Sequence, residues 1–130
     1  MWDRLPIPQN KILRMKYKLI STNSEWKQGF AFQTKGLILF ENEDPIKKGW
    51  AAIWEHESPH EDFFLCKSKN GLLDIKNVWD TGNGVVESWS NGAAMWLEEI
   101  SKGRRYHCND GHQDDDFDDI IFEIVVQGEE

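Results

Sequence analysis

Turn-forming residues recur along this chain roughly every 8–12 positions, and the segments between them alternate apolar with polar side chains. Met15, Tyr17 and Leu19 alternate with Arg14, Lys16 and Lys18, the period-two signature of a half-buried strand. Phe30 and Phe32 repeat it, and Leu37-Ile38-Leu39-Phe40 reads as a more fully buried strand. Asn42-Glu43-Asp44-Pro45, closed by Gly49, signals a turn before the strands Trp50–Trp54 and Phe63–Cys66. Asn70-Gly71 is the strongest short hairpin cue, because a type I′ turn needs positive φ at both central residues. It predicts Leu72–Trp79 as the partner strand. Gly82-Asn83-Gly84 and Asn91-Gly92 mark two further reversals around Val85–Trp89. The pattern predicts an all-β fold, an antiparallel β-sandwich of jelly-roll or Greek-key type with about eight or nine strands.

One segment supports two readings. Ala93–Ile100 has high helix propensity, with Asn91 as a cap and Gly103 as a stop, giving a short helix near 93–102. It also reads as a strand returning through Ser101-Lys102-Gly103 into Arg104–Cys108, and its strand-like neighbours favour that reading. Residues 1–10, with Pro6 and Pro8, are expected as an extended arm on a single sandwich domain spanning 11–130.

At 130 residues the chain can bury a core without covalent staples. Its charge is unevenly placed. Residues 1–60 carry nine Lys and Arg against seven Asp and Glu, whereas residues 61–130 carry six against sixteen. No basic side chain follows Arg105, while nine acids do. Phosphate contacts need a cationic surface, so this half argues against nucleic acid and for a cation or a basic protein partner. No apolar run reaches the length of a membrane span, and the first residues lack a signal-peptide pattern. The expectation is cytoplasmic synthesis, with a leaderless route as the means of any export. Cys66 and Cys108 make neither a disulfide framework nor a zinc site, and are expected as reduced, partly buried strand residues.

The charge imbalance culminates in Asp114-Asp115-Asp116-Phe117-Asp118-Asp119, which runs directly into the apolar strand Ile120–Val126. Like charges about 6 Å apart repel by about 0.7 kcal/mol per pair even in water. A hard cation with six to eight oxygen ligands offsets that repulsion, and so does a basic partner. Asp114, Asp116 and Asp118 form one alternating set, with Asp119 at the strand mouth and Asn109 or Asp110 on the incoming side. Gly111 permits the bend, and Phe117 anchors the loop to the core. Oxygen-only donors on a loop suit Ca²⁺ better than Mg²⁺ or Zn²⁺.

Asn109 to Ile121 resembles the Asp-Gly…Asp-x-Asp-Tyr-Asn-Asp-x-x-Val signature of calcium-binding β-sandwich domains. That signature occurs in the small two-calcium bacterial lectins that bind fucose and mannose, and in related extracellular β-domains. The resemblance implies that Asp114, Asp116, Asp118 and Asp119 are metal ligands, with Asn109 where the lectins use an acid. It places Asp110 on the sugar side, and Asn23 is a further upstream candidate. Asp118 stands where the signature has Asn.

Seven tryptophans are a high count for this length, and most fall within or at the ends of strands, where packing accounts for them. Trp89 and Trp26, beside polar turns, are the two expected to be exposed for ligand contact. His56-Glu57-Ser58-Pro59-His60 spells the H-E-x-x-H zinc-protease letters, but Pro59 breaks the helix that chemistry requires. The leading expectation is a non-enzymatic, calcium-dependent, lectin-like module that binds carbohydrate. The alternative is a small acidic inhibitor or immunity-type protein that neutralises a basic toxin or nuclease, with charge steering and aromatics anchoring.

Overall fold

The computed structural model describes residues 2–82, 86–87, 95–110 and 117–130. They form an antiparallel β-sandwich whose strands are β1 (Asp3–Pro6), β2 (Leu13–Thr22), β3 (Lys27–Gln33), β4 (Gly36–Phe40), β5 (Ala51–Trp54) and β6 (Glu61–Ser68). There follow β7 (Leu72–Asp80), β8 (Val86–Glu87), β9 (Met95–Ile100), β10 (Gly103–Cys108) and β11 (Ile120–Glu129). One sheet runs β1-β7-β3-β5, with β8 also paired to β7, and the other runs β4-β6-β2-β11-β10-β9. From β1 to β7 each connection crosses from one sheet to the other, so sequence neighbours face each other across the core.

β2 alternates as its pattern predicts, whereas β3 is buried without interruption from Gln28 to Phe32. Met15, Tyr17 and Leu19 of β2 point inward, and Phe30 and Phe32 of β3 meet them from the opposite sheet. The centre is an aromatic stack between the sheets. Phe30 lies parallel to Phe122 of β11 at 4.1 Å, and Tyr106 of β10 stacks on the other side at 4.9 Å. One edge of the sandwich is laced by Asp3, whose Oδ2 accepts from Arg104 Nη1 at 3.0 Å and from Tyr106 Oη at 2.9 Å. Within residues 2–10, Asp3–Pro6 is hydrogen-bonded sheet rather than a free arm, Leu5 and Ile7 are buried, and Gln9-Asn10 form a turn.

Three expectations need correction, and the segment with two readings resolves as the favoured one, a strand. Residues 95–100 form no helix: they are edge strand β9, paired residue for residue with β10 through a turn at Ser101-Lys102. Lys102 takes positive φ there, so the tight return is made without a glycine. Asn70-Gly71 is no hairpin turn, because β6 and β7 belong to different sheets. Only Gly71 has positive φ, while the Asn70 side chain accepts from the Leu72 N–H and turns the chain across the core. β4 is less buried than its apolar run suggested, because it is an edge strand on which only Ile38 is buried. Among the described residues the strands number eleven rather than eight or nine, since β1 and the short β8 add to the alternating segments.

Cys66 and Cys108 are free thiols, fully rather than partly buried. Burial pushes the Cys66 thiol up to about 12. Among the described residues no helix is long and apolar enough to cross a membrane.

Tyr17 sets an alkaline limit on stability. Its hydroxyl donates to the Pro59 carbonyl at 2.7 Å, and burial, helped by Asp62 and Glu43, raises its pKa from 10.0 to about 12. Between those values the unfolded chain gives up a proton that the folded chain keeps. Stability contributed by neutral Tyr17 is therefore complete below pH 10 and lost as pH rises towards about 12. A series of urea unfolding curves from pH 9 to 12 should show the midpoint falling across that window, and Tyr17→Phe should flatten the fall.

Candidate functional site

At one end of the sandwich the core turns polar. β3 brings Gln28 and β7 brings Asn77, two residues whose strand neighbours Phe30 and Ile75 point into the apolar core. From the other sheet, the exit of β10 supplies Asn109 and Asp110, and the entry to β11 supplies Phe117, Asp118 and Asp119. The β2–β3 connection adds Asn23 and Ser24. The exposed surface is 0% for Asp110, 3% for Asp119, 2% for Gln28 and 0% for Asn77. With Asn109, also buried, five polar residues are thus packed inside the protein at one place.

Hydrogen bonds tie the two sheets together there. Asp110 Oδ2 accepts from Ser24 Oγ at 2.6 Å and from Gln28 Nε2 at 2.9 Å. The Asp110 N–H donates to Asp119 Oδ2 at 2.9 Å, so the first residue of the acidic loop holds the last. Asn109 Oδ1 accepts from the Phe117 N–H at 2.7 Å, and the Asn109 carbonyl accepts from Asn77 Nδ2 at 3.0 Å. Asn23 reaches the same place from the surface: its N–H donates to the Asp119 carbonyl and its Nδ2 to Asp118 Oδ2. Phe117 has φ of 53°, a left-handed conformation that costs a bulky residue about 1–2 kcal/mol. The Asn109–Phe117 bond helps hold it there. The base of the loop is a clamp.

The electrostatic mark of these carboxylates extends inward. Burial drives the Cys108 thiol well above its ordinary pKa, and Asp119 and Asp3 add to the rise. Asn109–Asp119 contains six Asp and one His, and no Lys or Arg.

Of the site residues expected from sequence, Asn109, Asp110, Asp118, Asp119 and Asn23 come together at this end. Asp114, Asp116 and Trp89 lie outside the described residues. Asp110, expected on the ligand side, is fully buried, and Trp26 is half-buried rather than exposed. Among the described residues the large exposed tryptophan surfaces belong to Trp50 and Trp96. The His56–His60 segment forms a turn, with Ser58 N–H donating to the Trp54 carbonyl and the His60 ring bonded to the Glu55 carbonyl.

Ser24 adjoins Asn23 in the upstream pair the sequence offers, whereas Gln28 and Asn77 carry no sequence signal as site residues. Each of these two is a lone polar residue within a strand, and only the packing of the sheets reveals its partners. Both bear on cation fit. Gln28 Oε1 and Asn77 Oδ1 are buried acceptors without a hydrogen-bond donor. Leaving such a group unpaired costs about 1–3 kcal/mol. Among the described residues no three His, Cys, Asp or Glu side chains gather into a metal-ligating group. The oxygens that do gather are mixed, carboxylate and amide, and this donor chemistry fits a hard cation. No protein-family model matches the chain, and no curated protein sequence matches it significantly.

Proposed function

We propose that the protein is a non-enzymatic, calcium-dependent binding module of lectin-like character, with the Asp-rich loop as its cation cage. The observation that carries this reading is the clamp at the base of the loop, where buried Asp110 and Asp119 are linked by a backbone N–H. Six Asp residues crowd this loop, and a divalent cation is an economical counter-charge for their mutual repulsion. In this reading Asp114, Asp116, Asp118, Asp119 and Asn109 hold Ca²⁺. A carbohydrate then docks beside the metal, the ligand class that the sequence resemblance implies. Asn23 and Asp118, hydrogen-bonded at the surface, border that face.

Calcium added at 100 times its dissociation constant should stabilise the fold by about 2.7 kcal/mol. Thermal unfolding with Ca²⁺ and with excess chelator measures this directly. Coincident melting curves would remove the proposal, and a glycan array on the calcium-loaded protein then tests the ligand class.

A second reading, the acidic inhibitor of a basic protein, is favoured by edge strand β9. Trp96 is 53% exposed there and lies near Glu98 and Glu99. An exposed tryptophan rimmed by ion pairs, Glu98 with Arg105 and Glu99 with Arg104, has the composition of a protein interface anchor. Binding to a basic protein that persists in chelator and is lost in Trp96→Ala would select this reading over calcium.

A further inference from the structure

The two orphaned amide oxygens sit on the sheet opposite the acidic loop. Strand register pairs Phe30 with Asn77 and Gln28 with Trp79, so Gln28 and Asn77 are diagonal neighbours on the inner face of one sheet. Such neighbours lie about 7–8 Å apart along the backbone, within reach of a shared guest. Their amide nitrogens are already committed. Gln28 Nε2 donates to Asp110 Oδ2 and to the Trp26 carbonyl, and Asn77 Nδ2 donates to the Asn109 carbonyl. Those bonds fix which end of each amide is oxygen, since a flipped amide would set oxygen against oxygen. Each group is therefore held beside the Asn109–Asp110 corner with its acceptor buried and unmatched.

We propose that Gln28 and Asn77 are neutral oxygen ligands to the cation, reaching it from the sheet opposite Asp110 and Asp119. This inference rests on the calcium reading above and extends its ligand set to two residues outside the loop. Amide carbonyls are ordinary Ca²⁺ donors, and a six-to-eight-coordinate ion needs more oxygens than a few carboxylates supply. The ion would then bridge the two sheets at the polar end of the core, joining the loop to the body of the domain. A buried water is the competing occupant, because it too satisfies orphaned acceptors.

The test uses the full chain, calcium alone as the probe, and two variants at Gln28. Gln28→Met keeps the side-chain length but removes the oxygen, and should weaken calcium binding by at least about tenfold in titration calorimetry. Gln28→Glu keeps an oxygen and adds charge beside Asp110. Its melting temperature in chelator should fall, and calcium should restore it, giving a larger calcium-induced rise than in the wild type. If wild-type protein binds calcium while Gln28→Met binds it within about twofold and calcium fails to rescue Gln28→Glu, water is the occupant and the inference is overturned. If the wild type does not bind calcium at all, the proposed function fails and takes this inference with it. Near-UV circular dichroism of the seven tryptophans, among them Trp79, which pairs with Gln28 in the register, reports whether each variant is folded.

Discussion

Replacing Phe122 with Ala should destabilise the protein by about 3–5 kcal/mol, the range for emptying a buried aromatic position. Phe122 has no exposed surface and is the middle ring of three, parallel to Phe30 at 4.1 Å and to Tyr106 at 4.9 Å. The three rings come from β3, β10 and β11, so the loss falls on the contact between the sheets as well as within one of them. Residual collapse into the space is restricted, because Tyr106 is held by its bond to Asp3 and Phe30 is wedged edge-on against Tyr17. Phe122→Leu keeps most of the volume but loses both stacks, and should cost less than half as much. Denaturant unfolding of the two variants checks the ordering. Equal losses would mean that ring stacking, rather than filled volume, dominates this site.

The same stack shows how far the chain could be read without coordinates. Period-two alternation identified Met15, Tyr17, Leu19, Phe30 and Phe32 as inward residues, because burial on one face of a strand leaves a local imprint. Sheet membership leaves none. Asn70-Gly71 has the letters of a hairpin, yet its strands part into different sheets, since a turn dictates local reversal but not the partner across it. Ala93–Ile100 had helix propensity, and over Met95–Ile100 pairing with β10 overrode it, a tertiary effect. Tryptophans misled for a related reason. Trp96 lies in a strand, where packing was the expectation, but among the described residues β9 is the last strand of its sheet and leaves it exposed. At the candidate site the acidic loop was conspicuous, as any crowd of like charges is. Gln28 and Asn77 were invisible, because a single polar residue in a strand is ordinarily placed on the solvent face. Their burial follows only from where Asn109 and Asp110 come to rest.

Gly103→Ala should be the most damaging single-methyl addition on the path to that site. A Cβ at Gly103 would lie 2.1 Å from the Ile124 carbonyl oxygen and 2.7 Å from Val125 Cα, and both of these are backbone atoms. A side-chain rotation cannot relieve such a contact. β10 would have to move away from β11, with a cost of about 3 kcal/mol, the upper part of the range for overpacking. The consequence extends beyond stability. β10 pairs with β11 from Gly103–Val125 to Cys108–Ile120, and the two residues beyond that last pair are Asn109 and Asp110. Separation at Gly103 therefore disturbs the strand pair that delivers both ends of the acidic loop. Gly128→Ala in β11 is the matched control, since no atom lies within 4 Å of its added Cβ. It should change stability by no more than about 0.5–1 kcal/mol, and in the stabilising direction, as for any strand glycine given a side chain in open space. Unfolding midpoints for the pair measure the difference. Calcium titration of the Gly103→Ala protein, below its melting point, measures whether the strain reaches the loop: a weakened affinity with Gly128→Ala unchanged is the expected result, and equal affinities would confine the damage to the β9–β10 end of the sheet.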